Sequence, residues 1–165
     1  MPAEIHPAST ADIDALVALE ELVFINDRIS RRSFRHMVRS PSVSLLVARN
    51  EGGVAGYCAV FFRAGSNKAR LYSLAVTPLN GSGLGRALLA AGERTAIDRG
   101  CKAMRLEVRM DNQRAIDLYE KNDYRQFATK PGYYADDMTA LRYEKALRGS
   151  QEAAAPFAGE EAGGR

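Results

Sequence analysis

Residues 79–89 read LNGSGLGRALL, three glycines in five positions just ahead of a run with helical spacing. A helix start exposes backbone N–H groups that lack an intrahelical acceptor, together with the positive end of the peptide dipoles. Gly81, Gly83 and Gly85 free the backbone dihedrals and leave no side chain in the way of an approaching ligand. Together these features make an anion site, most naturally for a phosphate or pyrophosphate. Arg86 adds a fixed positive charge. A flexible turn, with small residues for close helix packing, explains the same glycines equally well.

Two phosphate-binding patterns fail here. A P-loop places Lys and then Ser or Thr after its last glycine, whereas Arg86 and Ala87 follow Gly85. A dinucleotide fingerprint reads G-x-G-x-x-G directly after a strand. Here the spacing is G-x-G-x-G, and Thr77, Pro78, Leu79 and Asn80 intervene. A coenzyme A pyrophosphate loop is a third reading, beside the plain flexible turn.

Outward from the glycines, the patterning alternates between periods of about 3.6 and 2. "AEIH" (3–6) reads as a short strand. Ser9 or Thr10 can cap a helix carrying Ile13, Leu16, Val17, Val23 and Phe24. "SRRSFRHMVRSP" (30–41) is a second helix, with Phe34, Met37 and Val38 on one face and Pro41 as its stop. "SVSLLVAR" (42–49), "GVAGYCAVFFR" (53–63) and "ARLYSLAVTP" (69–78) read as three consecutive antiparallel strands. A long helix follows the glycines, with Leu84, Leu88 and Ala91 on one face, Arg99 in its last turn and Gly100 at its end. "KAMRLEVR" (102–109) is a strand, and Asp111 or Asn112 starts a helix through Lys121. "YRQFAT" (124–129) and "MTALRYEKAL" (138–147) close as strands. The strand–helix–strand unit in the middle implies a parallel pair, so the expected fold is α/β (α+β), with a mixed, mostly antiparallel seven-stranded sheet and about four helices.

A chain of 165 residues sets one domain as the expectation. Residues 149–165, rich in Gly, Ala and Glu without an apolar period, read as a disordered tail, which leaves 1–148 as the domain. Net charge is +3. The tail holds Glu152, Glu160 and Glu161 against Arg165, so the positive excess lies in residues 1–148. No run of about 18 apolar residues is present and no secretory signal is visible, so a cytoplasmic protein without membrane attachment is expected. Cys58 and Cys101 form neither a CxxC nor a metal spacing. No metal is expected.

Two stretches, LYSLAVTPLNGSGLGRALL (71–89) and LEVRMDNQRAIDLYEKNDY (106–124), resemble the GNAT superfamily of acetyl-CoA-dependent N-acetyltransferases. Within it they are similar to the bacterial ribosomal-protein-alanine N-acetyltransferases and their relatives that acetylate protein N-termini. The resemblance implies acetyl-CoA as co-substrate. Leu74, Ala75 and Val76 would line the pantetheine arm through their main chain. Gly81, Ser82, Gly83, Leu84, Gly85 and Arg86 would hold the pyrophosphate. Asn112 would touch the coenzyme through its side-chain amide, a role compatible with helix capping.

By strand alternation, Arg105, Glu107 and Arg109 share a polar face opposite Met104, Leu106 and Val108. Tyr119 shares a helix face with Ala115 and Ile116, so packing accounts for it. The resemblance implies more: Glu107 as general base through water, and Tyr119 as general acid to the coenzyme thiolate. Where the family has Tyr-Glu-x-x-Gly-Phe this chain has YEKNDY, so Asn122 or Asp123 must take the turn.

The resemblance also implies that Tyr133 and Tyr134, in PGYYADD (131–137), contact the backbone of a peptide acceptor. A hairpin turn with partly exposed tyrosines is the plainer account. Asp136 and Asp137 either attract a cationic amine or are simply solvated. The segment FINDRISRRSFRHMVRS (24–40) shapes the acceptor entrance in this family, and Arg28 is its candidate substrate contact. The cluster Arg28, Arg31, Arg32, Arg35 and Arg39 is either a solvated face or a site for an acidic protein, RNA or a ribosome surface. No aromatics interleave there as a stacking platform, so sequence-specific nucleic-acid binding is not expected. The expected function is acetyl transfer to a protein or peptide N-terminal α-amine, with a protein or peptide acceptor as partner and a ribosomal protein as one candidate. Transfer to a small-molecule amine or a lysine side chain, and a non-catalytic acyl-CoA-binding module, are the alternatives.

Overall fold

A computed structural model describes residues 3–78 and 83–148. The strands are β1 (Glu4–Pro7), β2 (Val43–Asn50), β3 (Gly53–Phe61), β4 (Lys68–Val76), β5 (Ala103–Arg109), β6 (Arg125–Lys130) and β7 (Ala140–Ala146). The helices are α1 (Ile13–Val23), α2 (Arg31–Arg39), α3 (Leu84–Asp98) and α4 (Gln113–Lys121), with a 3-10 turn at Thr10–Asp12 ahead of α1. This is the order the periodicities predict. The strands form one seven-stranded sheet in the order β1-β2-β3-β4-β5-β7-β6. The pairs β1–β2, β2–β3, β5–β7 and β6–β7 are antiparallel.

The chain divides into two compact units, Met1–Phe62 with Leu71–Gly92, and Arg63–Arg70 with Glu93–Arg165. The expected boundary at residue 148 is a separate matter, because residues 149–165 lie outside the described ones.

In the first unit, α1 and α2 bury Leu16 and Phe34 against Val47 of β2 and Tyr57 of β3. The Phe34 and Tyr57 rings meet edge to face at 5.6 Å. Ser9 and Asp12 form a capping box: Asp12 accepts the Ser9 N–H at 2.8 Å, and Ser9 caps the turn. Asp12 is also ion-paired with Arg49. Gly56 of β3 has no room for a side chain. A Cβ there would stand 2.7 Å from the Ala75 carbonyl oxygen of β4 and 2.9 Å from Leu88 Cδ1 of α3. Gly92 plays the same part on α3, where a Cβ would stand 2.8 Å from Cys58 Sγ.

Three local expectations change. Phe24 is not helical: α1 stops at Val23, and Phe24 is extended at φ −112°, ψ 139°. The reason is a side-chain cap, since Arg28 donates from Nε to the Phe24 carbonyl (2.6 Å) and from Nη2 to the Glu21 carbonyl (3.3 Å). Arg99 falls just past α3 rather than in its last turn. Gly100, at φ 87°, lets the Gly100 and Cys101 N–H groups close on the Ile97 and Ala96 carbonyls. The buried stripe of α3 runs through Leu88, Leu89, Gly92 and Ala96, whereas Leu84 and Ala91 are only half-buried.

In the second unit, β5 shows the predicted alternation: Met104, Leu106 and Val108 are buried, with Arg105, Glu107 and Arg109 less buried between them. After α4 the turn is made by Asp123, at φ 76°.

Candidate active site

The first unit carries the end of β4 and the start of α3. Thr77 N–H donates to the Ala55 carbonyl at 2.9 Å, which continues the β3 contact past Val76. Ala75 is buried, and Leu74 and Val76 are half-buried. With Gly56 pressed on the Ala75 carbonyl, the main chain at 74–76 is held from one side by backbone rather than by side chains. Gly83, at φ 103°, makes the turn into α3, and its carbonyl accepts the Ala87 N–H at 2.9 Å. Leu84, Gly85 and Arg86 form the first helical turn, where backbone N–H groups have no intrahelical acceptor. Arg86 is exposed. Gly81 and Ser82 lie outside the described residues.

Also in this unit, Glu20 of α1 is buried at 2 % exposure. It accepts the Ile29 N–H (2.8 Å) and the Tyr57 hydroxyl, and the Tyr57 oxygen is 2.7 Å from Ser73 Oγ of β4. Burial pushes the Glu20 carboxyl up, against the pull of these hydrogen bonds. Glu20 thereby pins the segment between α1 and α2. Arg28, expected to contact substrate, spends its guanidinium on the carbonyls at the end of α1.

The second unit carries the acid–base candidates. The Glu107 side chain is 9 % exposed and lies between two guanidinium groups. Arg70 of β4 donates from Nε to Oε1 at 3.0 Å, with its Nη2 2.9 Å from the same oxygen. Arg142 of β7, directly opposite Glu107 in the β5–β7 register, donates from Nε to Oε2 at 3.1 Å. Glu107 does sit between two arginines, but not its strand neighbours. Arg105 pairs with Glu144, and Arg109 with Asp111 and Asp136. A carboxylate offers about four lone-pair sites, so these donors leave room for a water.

Tyr119 is buried in α4, 5.7 Å from the Tyr124 ring. Tyr124 in turn donates to Glu93 at 2.8 Å. Asn112 caps α4: its side-chain oxygen accepts the Ala115 N–H at 3.2 Å. The cap uses the amide oxygen and leaves the amide N–H groups for other partners.

Tyr133 and Tyr134 pack edge to face at 4.9 Å in the connection between β6 and β7. The Tyr133 hydroxyl accepts from Arg70 Nη2 at 2.8 Å. Asp136 is bound by both Nη atoms of Arg109, at 3.0 and 2.8 Å, and this holds its carboxyl below the usual range. It is therefore engaged by a cation of the chain itself. Sequence reasoning missed Arg70 and Arg142. Alternation along β4 could have placed Arg70 on a polar face, but its pairing with Glu107 depends on strand order.

Among the described residues, no three His, Cys, Asp or Glu side chains group as a metal site. None of the described helices is long and apolar enough to cross a membrane.

The sequence pattern of the acetyltransferase (GNAT) family matches residues 13–124, and the chain belongs to that family of acyltransferases. A Bacillus subtilis protein named as a candidate ribosomal-protein-bS18-alanine N-acetyltransferase is 25 % identical over 127 residues, 76 % of this chain and 83 % of its own. The crystal structure of the Escherichia coli ribosomal-protein-S18-alanine N-acetyltransferase superposes with a TM-score of 0.78 at 24 % identity, covering 90 % of this chain and 96 % of that one. The PaiA N-acetyltransferase of Thermoplasma acidophilum, solved in complex with coenzyme A, superposes with a TM-score of 0.74 at 21 % identity, covering 89 % and 100 %. These two structures share the fold.

Proposed function

We propose that the chain transfers the acetyl group of acetyl-CoA to the N-terminal α-amine of a protein or peptide, in the cytoplasm, by direct attack in a ternary complex. The observation that carries this reading is the Glu107–Arg70–Tyr133 chain. It joins a shielded carboxylate to a tyrosine of the β6–β7 connection, in a protein of the acetyltransferase family. Coenzyme recognition is assigned to the main chain of Leu74, Ala75 and Val76, to the stretch from Gly81 to Arg86, and to Asn112. Proton chemistry is assigned to Glu107 and Tyr119. The acetyltransferase domain is assigned to residues 1–148.

An α-amine with a pKa of about 8 needs modest help to become neutral. Glu107, through a water, takes its proton. The nitrogen lone pair then attacks the thioester carbon, a C–N bond forms, and the C–S bond breaks. The Tyr119 hydroxyl gives its proton to the departing thiolate. A thioester is already activated, so positioning supplies much of the rate. A candidate acceptor with a ribosomal origin is suggested by the Bacillus subtilis relative's name.

The test is acetyl-CoA-dependent thiol release with three acceptor pools: peptides with free N-termini, N-blocked peptides containing lysine, and small polyamines with aminoglycosides. Release confined to the first pool is expected. Release only with the second or third would overturn the acceptor and keep the chemistry, and no release from any pool would overturn the enzyme reading in favour of an acyl-CoA-binding module.

A further inference from the structure

We propose that Arg70 is a positioning residue that fixes Tyr133 as a hydrogen-bond donor to the acceptor, an inference that rests on the peptide-acceptor reading above. Glu107 is held on one oxygen by Arg142, across the β5–β7 register. Its other oxygen holds Arg70, so the Arg70 guanidinium has one orientation. Arg142 is itself steadied, with its guanidinium carbon 4.9 Å from the centre of the Phe127 ring of β6. From that position Arg70 Nη2 reaches the Tyr133 hydroxyl at 2.8 Å.

A guanidinium has only donors, so the Tyr133 oxygen must accept from it. The Tyr133 proton is then directed elsewhere, and it makes no hydrogen bond among the described residues. A peptide carbonyl is the group such a proton suits, because it accepts and carries no charge that Arg70 would have to balance. The connection is otherwise organised by its own backbone. Tyr134 N–H donates to the Met138 carbonyl at 3.2 Å, Asp137 N–H to the Tyr134 carbonyl at 2.8 Å, and Gly132 and Asp137 take positive φ. Side-chain ties to the strands include Arg109–Asp136 and Arg70–Tyr133, and the second shares its cation with Glu107.

The test is a double-mutant cycle with Arg70→Met, Tyr133→Phe and both together, read as acceptor KM, acetyl-CoA KM and kcat. Each single change should raise the peptide KM about tenfold, the size of one hydrogen bond to a charged or oriented partner. Acetyl-CoA KM should stay constant. The double variant should be no worse than either single variant, and Arg70→Lys should fall between wild type and Arg70→Met. An unmoved peptide KM, or effects that multiply in the double variant, would overturn the proposal. If wild type acetylates no peptide, the functional reading itself fails. The positioning role is then judged by hydrogen exchange: amides of residues 132–138 should exchange faster in Arg70→Met, and unchanged exchange would overturn it.

Discussion

Glu107 and Arg142 face each other directly across the β5–β7 register and are joined at 3.1 Å, with the Glu107 side chain only 9 % exposed. Arg70 holds the second oxygen of the same carboxylate. Such an arrangement aims the carboxylate while leaving a lone pair for a water. Glu107→Gln keeps the shape but sets an amide N–H against a guanidinium. It should lower kcat by about tenfold or more, within the range that positioned proton transfer contributes, and leave the acetyl-CoA Kd unchanged. Stopped-flow turnover with isothermal titration of acetyl-CoA checks this. Wild-type turnover in Glu107→Gln would remove the general-base role.

Tyr119 is buried beside Tyr124, so Tyr119→Phe keeps the ring and its packing. Turnover should again fall by about tenfold or more if the hydroxyl protonates the thiolate. Thermal stability should stay close to wild type. A pre-steady-state measurement with an acyl donor whose leaving thiol is more acidic should restore much of the rate, because a better leaving group needs less protonation.

Gly56 touches the carbonyl of Ala75 where any Cβ would sit. The contact is with backbone, so a new methyl group cannot be relieved by a rotamer change. Gly56→Ala should cost about 1–3 kcal/mol, as overpacking does, and should raise the acetyl-CoA Kd by displacing residues 74–76. Urea denaturation and coenzyme titration read the two effects separately. Loss of stability with an unchanged Kd would detach β4's end from coenzyme binding.

Glu20 has a carboxyl raised by burial above its ordinary value of 4.5. Between that value and the higher folded one, the folded protein binds more protons than the unfolded chain. The Glu20 contribution to stability is therefore fully present below about 4.5 and declines as pH rises through the folded value. Wild type should lose stability relative to Glu20→Gln as pH is raised through that window. Parallel urea titrations at a series of pH values measure the difference. A gap that stays constant with pH would show that the Glu20 carboxyl binds its proton equally in the folded and unfolded chain.

The sequence by itself determined the order of elements. The apolar run GVAGYCAVFFR, buried continuously from Ala55 to Val60, and the helical stripe of SRRSFRHMVRSP, which buries Phe34 and Met37, each carry a local apolar pattern that tertiary packing leaves in place. Turn chemistry was equally legible, with Gly100 and Asp123 at positive φ where the helices stop. The family motifs also marked Glu107, Asn112 and Tyr119, because spacing along one strand and one helix is a local property. Only the tertiary structure decided what those residues touch. Which arginines flank Glu107 depends on strand order and on the β5–β7 register, and these join residues 35 to 37 positions apart. The engagement of Asp136 by Arg109, 27 positions away, was hidden for a like reason, whereas Arg28 binds carbonyls only four and seven positions back in the chain. Charged side chains advertise their chemistry in a sequence, but their partners are set by which distant strands and loops the fold brings within hydrogen-bond distance.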